Sequence, residues 1–232
     1  MIHLRRGHER GRTKIDWLDS YHTFSFGDYH DPRYMGFRSL RVINDDKVLP
    51  SNGFHPHSHR DMEIITYILE GRVQHQDSTG QKGIIEKGEA QRMTAGSGIT
   101  HSEINPSDTE TLHLLQIWIM PEKRGLTPGY EQKTFRSDAF KDRFCVVASP
   151  DGREGSMKIH QDAALLLART DSGAEFRYPL SPSRYAWLHV AKGEIQLARE
   201  TLKAGDGASF ETELEVFFKA GPGTEVLLFD LA

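Results

Sequence analysis

The sequence predicts an all-β protein built from two sandwich or barrel domains. Short runs rich in β-branched and aromatic residues alternate with turns of Gly, Pro, Asp and Asn. No segment shows a long, well-capped pattern with the 3.6-residue period of a helix. A strand–turn–strand pattern also occurs twice along the chain. Many short strands separated by turns are typical of sandwiches and barrels.

The predicted strands form two sets. In the first part of the chain they are Ser39–Asn44, Glu63–Leu69, Val73–Gln76, Ala90–Thr94, Leu112–Met120 and Phe144–Ala148. In the second part they are Ala163–Arg169, Tyr185–Val190, Ile195–Ala198, Gly207–Phe210, Leu214–Lys219 and Thr224–Leu231. A short helix is predicted over Asp138–Arg143. The aromatic-rich stretch Trp17–Tyr34 is interpreted as loop and edge strand packed on the first domain.

The repeated pattern divides the chain. Ile65–Gln74 resembles Trp187–Gln196, and each places a glycine, Gly71 or Gly193, in the tight turn between two strands. Turn residues gather at 121–140, where we expect the boundary. The predicted domains are therefore residues 1–130, which would carry the site, and residues 131–232, which have no His-x-His segment and would support the first domain without a metal site of their own.

Composition excludes several classes of protein. The 232 residues carry a formal net charge of −4, and Lys and Arg are scattered, so no patch for direct nucleic-acid binding is predicted. The single cysteine, Cys145, cannot form an intrachain disulfide. The first residues lack the apolar run of a signal peptide, and no stretch has the length of a membrane span. These features predict a soluble, cytoplasmic protein with no membrane association.

Two strand-like segments carry the candidate chemistry. Residues two apart in a strand point to the same face, so His57 and His59 form one pair of donors, and His101 and Glu103 form another. Three imidazoles and one carboxylate suit a divalent transition metal, and ligation by nitrogen and oxygen without thiolate fits Fe(II), Ni(II), Co(II), Mn(II), Cu(II) or Zn(II).

The residues alone leave the ligand set open. His55 shares the parity of His57 and His59, and one ion can bind adjacent members of this row but hardly all three, which would span about 13 Å. Glu63 would also lie on that face and is a rival carboxylate to Glu103. Four further histidines have no partner at ligand spacing and are expected at the surface or in the core: His75, His113, His160 and His189.

The segments Gly53–Glu63 and Met93–Glu103 resemble the pirin family of the cupin superfamily, in particular bacterial pirins with quercetinase activity. Leu69–Gly71 and Leu115–Trp118 also match, and the similarity extends through Trp17–Asp45 and over the C-terminal half. One departure is Pro56-His57-Ser58, where family members commonly have His-Pro-His; a serine between the ligands leaves the strand geometry unchanged.

The resemblance implies a bicupin, with two domains of jelly-roll type. It also implies that His57, His59, His101 and Glu103 are the metal ligands, so that His55 and Glu63 lie outside the set. Iron(II) is the ion that the resemblance favours.

For function, the resemblance implies a dioxygenase that opens the central ring of a flavonol such as quercetin with O₂, with Glu103 as the catalytic base that takes the proton of the 3-hydroxyl. The alternative is a metal-containing regulatory or adaptor protein, a redox or ligand sensor with a protein partner and only incidental quercetinase activity. Enzyme-level turnover at low substrate would favour the first, and partner binding that depends on the metal's oxidation state would favour the second.

Overall fold

A computed structural model of the chain describes residues 1–135 and 141–232. In chain order the strands in these residues are β1 (Ile2–Arg5), β2 (Gly11–Lys14), β3 (Leu18–His22), β4 (Leu40–Val48), β5 (Gly53–His59), β6 (Glu63–Glu70), β7 (Arg72–Asp77), β8 (Lys82–Glu86), β9 (Glu89–Thr94), β10 (Ile99–Ile104), β11 (Leu112–Ile119), β12 (Gly129–Thr134), β13 (Phe144–Ser149), β14 (Met157–Lys158), β15 (Ala163–Thr170), β16 (Ala174–Pro179), β17 (Tyr185–Lys192), β18 (Glu194–Leu197), β19 (Glu200–Lys203), β20 (Gly207–Phe210), β21 (Glu215–Ala220) and β22 (Thr224–Leu231). In the same residues, one-turn 3₁₀ segments occur at Gly7–Glu9 and Arg153–Gly155. The predicted all-β fold is confirmed.

The strands belong to two compact units. The N-terminal unit comprises Gly11–Thr134 and Ile159–Gln161, and the C-terminal unit comprises Met1–Arg10, Phe135–Lys158 and Asp162–Ala232. The first ten residues belong to the second unit because β1 pairs antiparallel with β20. No helix in the described part of the chain has the length and hydrophobicity that crossing a membrane requires.

Each unit contains one large and one small sheet. In the N-terminal unit the seven-stranded sheet has the order β12-β9-β6-β11-β4-β3-β2, and the four-stranded sheet has the order β5-β10-β7-β8. In the C-terminal unit the corresponding orders are β1-β20-β17-β22-β15-β13-β14 and β16-β21-β18-β19. The repeated sequence pattern forms β6–β7 in one unit and β17–β18 in the other. Its glycines, Gly71 and Gly193, have φ of 74° and 73°, a conformation that glycine adopts at little cost.

Alternating burial shows how these sequences form sheets. In β7 the inward positions Val73, His75 and Asp77 are buried and the residues between them are exposed. Apolar side chains of the N-terminal unit pack in clusters, one of which includes Leu18, Val48 and residues of β6, β7, β8 and β11. Polar side chains are also buried in this unit, as His75 and Asp77 on β7 show.

The structure differs from the sequence prediction in the stretch Trp17–Tyr34 and at Lys141–Arg143. The stretch Trp17–Tyr34 contains loop, as predicted, but its strand, β3, is internal rather than at the edge because β2 pairs with its outer side. Of the predicted helix over 138–143, residues 138–140 lie outside the described residues, and Lys141–Arg143 form a bridge and turn.

Candidate metal centre and cavity

The two histidine-bearing segments are neighbouring strands of the small N-terminal sheet. β5 pairs antiparallel with β10, and His57 lies directly opposite His101. The register shifts between His101 and Glu103, so that Glu103 lies opposite Phe54. Such an irregularity turns side chains relative to a regular ladder. The predicted donor residues therefore converge from two adjacent strands.

Three histidines form a compact cluster. The ring centroids of His57 and His59 are 4.7 Å apart, those of His57 and His101 are 4.5 Å apart, and those of His59 and His101 are 5.0 Å apart. One nitrogen from each ring lies within 4.8 Å of the others. An ion with metal–nitrogen bonds near 2.1 Å requires nitrogens roughly 3–3.5 Å apart, so small side-chain movements would bring all three to one ion.

The hydrogen bonding of these rings suits a metal. His101 is 2% exposed, and neither of its ring nitrogens has a hydrogen-bond partner among the described residues. A buried imidazole without a partner is costly, and a metal ion would provide one. His57 Nδ1 lies 2.8 Å from the carbonyl oxygen of His55; when Nδ1 donates this bond, Nε2 is left as a metal-binding lone pair.

Burial also keeps two of the rings neutral. Desolvation, together with the neighbouring histidines, lowers the pKa of His59 to about 4 and the pKa of His101 to about 3. Both imidazoles are therefore unprotonated near neutral pH. The neutral imidazole is the form that binds a metal ion.

Glu103 is held by three side chains from the large sheet, Thr66 on β6, Gln91 on β9 and Gln116 on β11, which we call the carboxylate clamp. Gln91 Nε2 donates to Glu103 Oε1 at 2.6 Å and Thr66 Oγ1 donates to the same oxygen at 2.8 Å. Gln116 Nε2 donates to Oε2 at 2.7 Å. All four side chains are buried. The clamp fixes the carboxylate and leaves about one of its four acceptor positions open, on Oε2.

A second group of donors shares His101. Ligand-type atoms of His75, His101 and Glu103 all lie within 4.8 Å of one another. His75 is fully buried; its Nε2 bonds Asp77 Oδ2 at 3.0 Å, and its ring stacks on Tyr130 with centroids 4.7 Å apart. The structure thus places His57 and His59 in one group with His101, and Glu103 in the other.

Sequence reasoning missed His75 and the carboxylate clamp. For His75 a signal existed, since Val73, His75 and Asp77 alternate as an inward-facing row on β7. The clamp residues have no comparable signal, because they come from three strands that are distant in sequence. Only the pairing of β6 with β9 and β11 brings them together.

The two rival positions lie apart from the histidine cluster. Glu63 is fully buried, accepts a hydrogen bond from Thr94 at 3.0 Å, and bonds His160 Nδ1 at 3.2 Å. Burial raises the pKa of the Glu63 carboxyl. Neither group of ligand-type atoms in the described residues includes Glu63 or His55; His55 is an exposed residue at the cavity wall.

A cavity of about 420 Å³ adjoins the cluster. Its wall includes His57, His59 and Glu103. Aromatic rings form much of the remainder, in two edge-to-face pairs: Trp17 with Phe54 at 5.4 Å and Phe26 with Trp118 at 5.3 Å. A volume of this size and an aromatic lining suit a flat, multi-ring organic molecule.

The C-terminal unit is built differently at its small sheet. Phe176 on β16 and Phe218 on β21 stack with centroids 5.2 Å apart, and Phe144 packs edge-on against both. These rings belong to one large apolar cluster. Among the described residues of this unit, no three His, Cys, Asp or Glu side chains come within ligand distance.

Two β units of this kind, with a histidine cluster in the first, define a two-domain cupin protein. A family model described as Pirin matches residues 4–119, and one described as Quercetinase C-terminal cupin domain matches residues 146–231. The chain belongs to the pirin family, as the sequence motifs predicted. It is 48% identical over 231 residues to the quercetin 2,3-dioxygenase of Escherichia coli K12, with 100% of this chain and 99% of the relative covered.

Solved structures agree with this assignment. The bacterial pirin YhhW from Escherichia coli in complex with nickel(II) superposes with a TM-score of 0.94 at 47% identity, over 100% of this chain and 99% of that one. The protein YhaK from the same organism superposes with a TM-score of 0.74 at 28% identity, over 95% of this chain and 93% of that one. The family likeness therefore includes both units of the chain.

Proposed function

We propose that this protein is a metal-dependent dioxygenase that opens the central ring of flavonols such as quercetin with O₂. The observation that carries the proposal is His101, a buried imidazole whose two nitrogens have no hydrogen-bond partner in the described part of the chain. It clusters with two further histidines beside an aromatic cavity. The full-length similarity to the Escherichia coli quercetin 2,3-dioxygenase supports the choice of substrate.

The proposed metal ligands are His57, His59, His101 and Glu103. The three histidine nitrogens already lie within 4.8 Å of one another, and Glu103 neighbours His101 in the second group. Iron(II) is the proposed ion in this protein, and nickel(II), which the related YhhW structure contains, is the first ion to compare with it. When bound, such an ion supplies Lewis acidity that favours the anionic form of an enolic oxygen.

Glu103 is the proposed proton acceptor for the 3-hydroxyl of the flavonol. The carboxylate clamp occupies about three of its four acceptor positions. The position left on Oε2 can bind a metal or accept a proton, but not both at once. Glu103 therefore acts as a base only while that lone pair is free, and the clamp ensures that the proton arrives at one oxygen.

The aromatic side chains are proposed to orient the substrate. The pairs Trp17–Phe54 and Phe26–Trp118 both line the cavity and offer ring faces and edges to a planar molecule. His59 packs edge-on against Trp118, with centroids 5.0 Å apart. A flavonol between these rings would have one oxygen next to Glu103 and would displace water from the cavity.

The decisive measurement is O₂ uptake by Fe(II)-reconstituted protein with and without quercetin, beside the metal-free protein. Uptake that requires metal and matches flavonol loss is the expected result. Absence of uptake with Fe, Ni, Co, Mn and Cu would refute the proposal and favour a regulatory role. Glu103→Gln is expected to retain the fold and lose most turnover; unchanged turnover would refute the base role of Glu103.

A further inference from the structure

A polar patch interrupts the interior of the N-terminal unit. On the inward face of β3 and β4, Ser20 lies opposite Asp46 and His22 lies opposite Asn44. Each of these four residues is only 2–3% exposed. Ser20 Oγ donates to Asp46 Oδ1, and His22 Nδ1 lies 2.8 Å from Asn44 Oδ1. The patch is thus two cross-strand polar pairs side by side.

The next cross-strand pair on the same face is apolar. Leu18 lies opposite Val48, and both belong to an apolar core cluster. Polar side chains in place of such a pair lack the free energy that burying apolar side chains provides. All four residues of the polar patch also line the 420 Å³ cavity together with Glu103. The polar pairs therefore occupy the part of the interior that a ligand can reach.

Asp46 has acceptor capacity left over. In the described part of the chain the side-chain carboxyl group of Asp46 has one hydrogen bond, which Ser20 Oγ donates. A carboxyl group retains at least one further acceptor lone pair whether it is ionised or protonated. No Lys or Arg side chain pairs with it among the described residues, and burial, with smaller contributions from Asp45 and Glu103, raises its pKa to about 7 although the hydrogen bond from Ser20 acts to lower it. Such a group is best satisfied by a neutral hydrogen-bond donor from a ligand.

Asp46 is offset along the sheet from the residue that holds Glu103. Asn44 lies opposite Gln116, the clamp residue that donates to Glu103. Asp46 is two residues further along β4, about 7 Å from Asn44 along the strand. On this offset we assign the donor that reaches Asp46 to a different part of the ligand from the oxygen at Glu103.

We propose that Asp46, supported by Ser20 and the His22–Asn44 pair, is a specificity subsite that accepts a hydrogen bond from a phenolic hydroxyl remote from the reacting 3-hydroxyl. This inference rests on the proposed function and narrows its substrate class to flavonols with hydroxyl groups on their outer rings. The subsite discriminates against 3-hydroxyflavone, which has the reacting hydroxyl alone, because a buried acceptor is then left unpaired.

The test compares kcat/KM for quercetin with kcat/KM for 3-hydroxyflavone in full-length, metal-loaded protein. The ratio is expected to fall about 10- to 100-fold in Asp46→Leu, which has similar size and no acceptor. Asp46→Asn keeps one carbonyl acceptor and is expected to give an intermediate ratio. The matched control is Asp108→Asn, the same change at an exposed residue of the N-terminal unit that does not line the cavity; its ratio should equal that of wild type.

An unchanged ratio in both Asp46 variants would overturn the subsite. If Asp46→Leu does not fold, Asp46→Asn and Ser20→Ala decide in its place, and wild-type ratios in both would overturn it. If wild type turns over neither flavonol with any metal, the proposed function fails, and the ratio of calorimetric Kd values for the same two compounds tests the subsite separately. A preference for quercetin that Asp46→Asn reduces would then support it; equal binding of the two compounds, or no binding, would overturn it.

Discussion

The carboxylate clamp leads to a quantitative prediction for Gln116→Leu. The substitution keeps the side chain near its original size and removes the amide that donates to Glu103 Oε2 at 2.7 Å. Gln116 is 9% exposed and Glu103 is 1% exposed, so the lost donor leaves a buried carboxylate oxygen that only water inside the cavity can reach. A hydrogen bond to a charged group contributes about 1.5–3 kcal/mol. We expect the metal-free N-terminal unit to lose this amount of unfolding free energy.

The measurement is denaturant unfolding followed by tryptophan fluorescence. Trp17 and Trp118 report on the N-terminal unit and Trp187 on the C-terminal unit. Because two units need not unfold in one step, the prediction concerns the transition of the N-terminal unit. The control is Gln74→Leu at an exposed position of β7, which should change stability by less than about 0.5 kcal/mol.

A double-mutant cycle with Glu103→Gln isolates the contact. Residues in one hydrogen-bond network couple by about 0.5–3 kcal/mol, whereas independent sites add. Gln116→Leu should also weaken nickel(II) binding about 10- to 100-fold, the usual effect of removing a group that orients a ligand. A loss of stability below about 0.5 kcal/mol, or additive effects in the cycle, would refute the clamp.

Three further predictions concern packing and protonation. Gly53→Ala should destabilise the N-terminal unit by about 3 kcal/mol or more, since its Cβ would lie 2.2 Å from a carbonyl oxygen of β10; denaturant unfolding measures this. Nickel(II) binding at about pH 6–8 should release no proton from His59 or His101, whose pKa values of about 4 and 3 keep both rings neutral; titration calorimetry in buffers of different ionisation enthalpy measures proton release. Burial raises the pKa of Asp46 from 3.8 to about 7, so the folded state holds this proton more tightly. Wild type should therefore lose stability relative to Asp46→Asn as the pH rises from about 4 to above 7, by up to about 4 kcal/mol in unfolding free energy.

Each of these three predictions has a control or a result that would contradict it. The control for Gly53→Ala is Gly80→Ala, whose added Cβ would have no heavy atom within 4 Å, so that it carries only the backbone cost of a positive φ, about 1 kcal/mol. An equal loss of stability in both variants would contradict the steric explanation. Release of two or more protons on nickel(II) binding would contradict neutral His59 and His101. A constant stability difference between wild type and Asp46→Asn across that pH range would contradict the raised pKa.

The sequence predicted the elements whose patterns are local. All twelve predicted strands occur, because each combines apolar or β-branched residues with flanking turns. The strands β1, β2, β8, β12, β14, β16 and β19 were missed, since each is short and has at most one buried residue. Such strands form because a neighbouring edge is available, which is a property of the sheet rather than of the segment.

For the candidate site, the sequence could name donors but not their surroundings. His57, His59 and His101 were identifiable from two-residue spacing, and the structure brings them together. The shift of register next to Glu103 is invisible in the sequence, as is the second group that contains His75. The choice of Glu103 over Glu63 as the proposed ligand came from the family resemblance, because both carboxylates are buried and the spacing alone suits either.

Each unit contains segments that are not contiguous in the sequence, and this affects both proteolytic cleavage and folding during synthesis. β1 pairs with β20, which is synthesised about 200 residues later, so β1 leaves the ribosome long before its partner strand does. Residues 159–161, by contrast, belong to the N-terminal unit, where His160 bonds Glu63. No single cleavage point therefore yields two intact halves. A fragment that begins after Arg10 would retain every residue of the histidine cluster, but its C-terminal unit would lack β1.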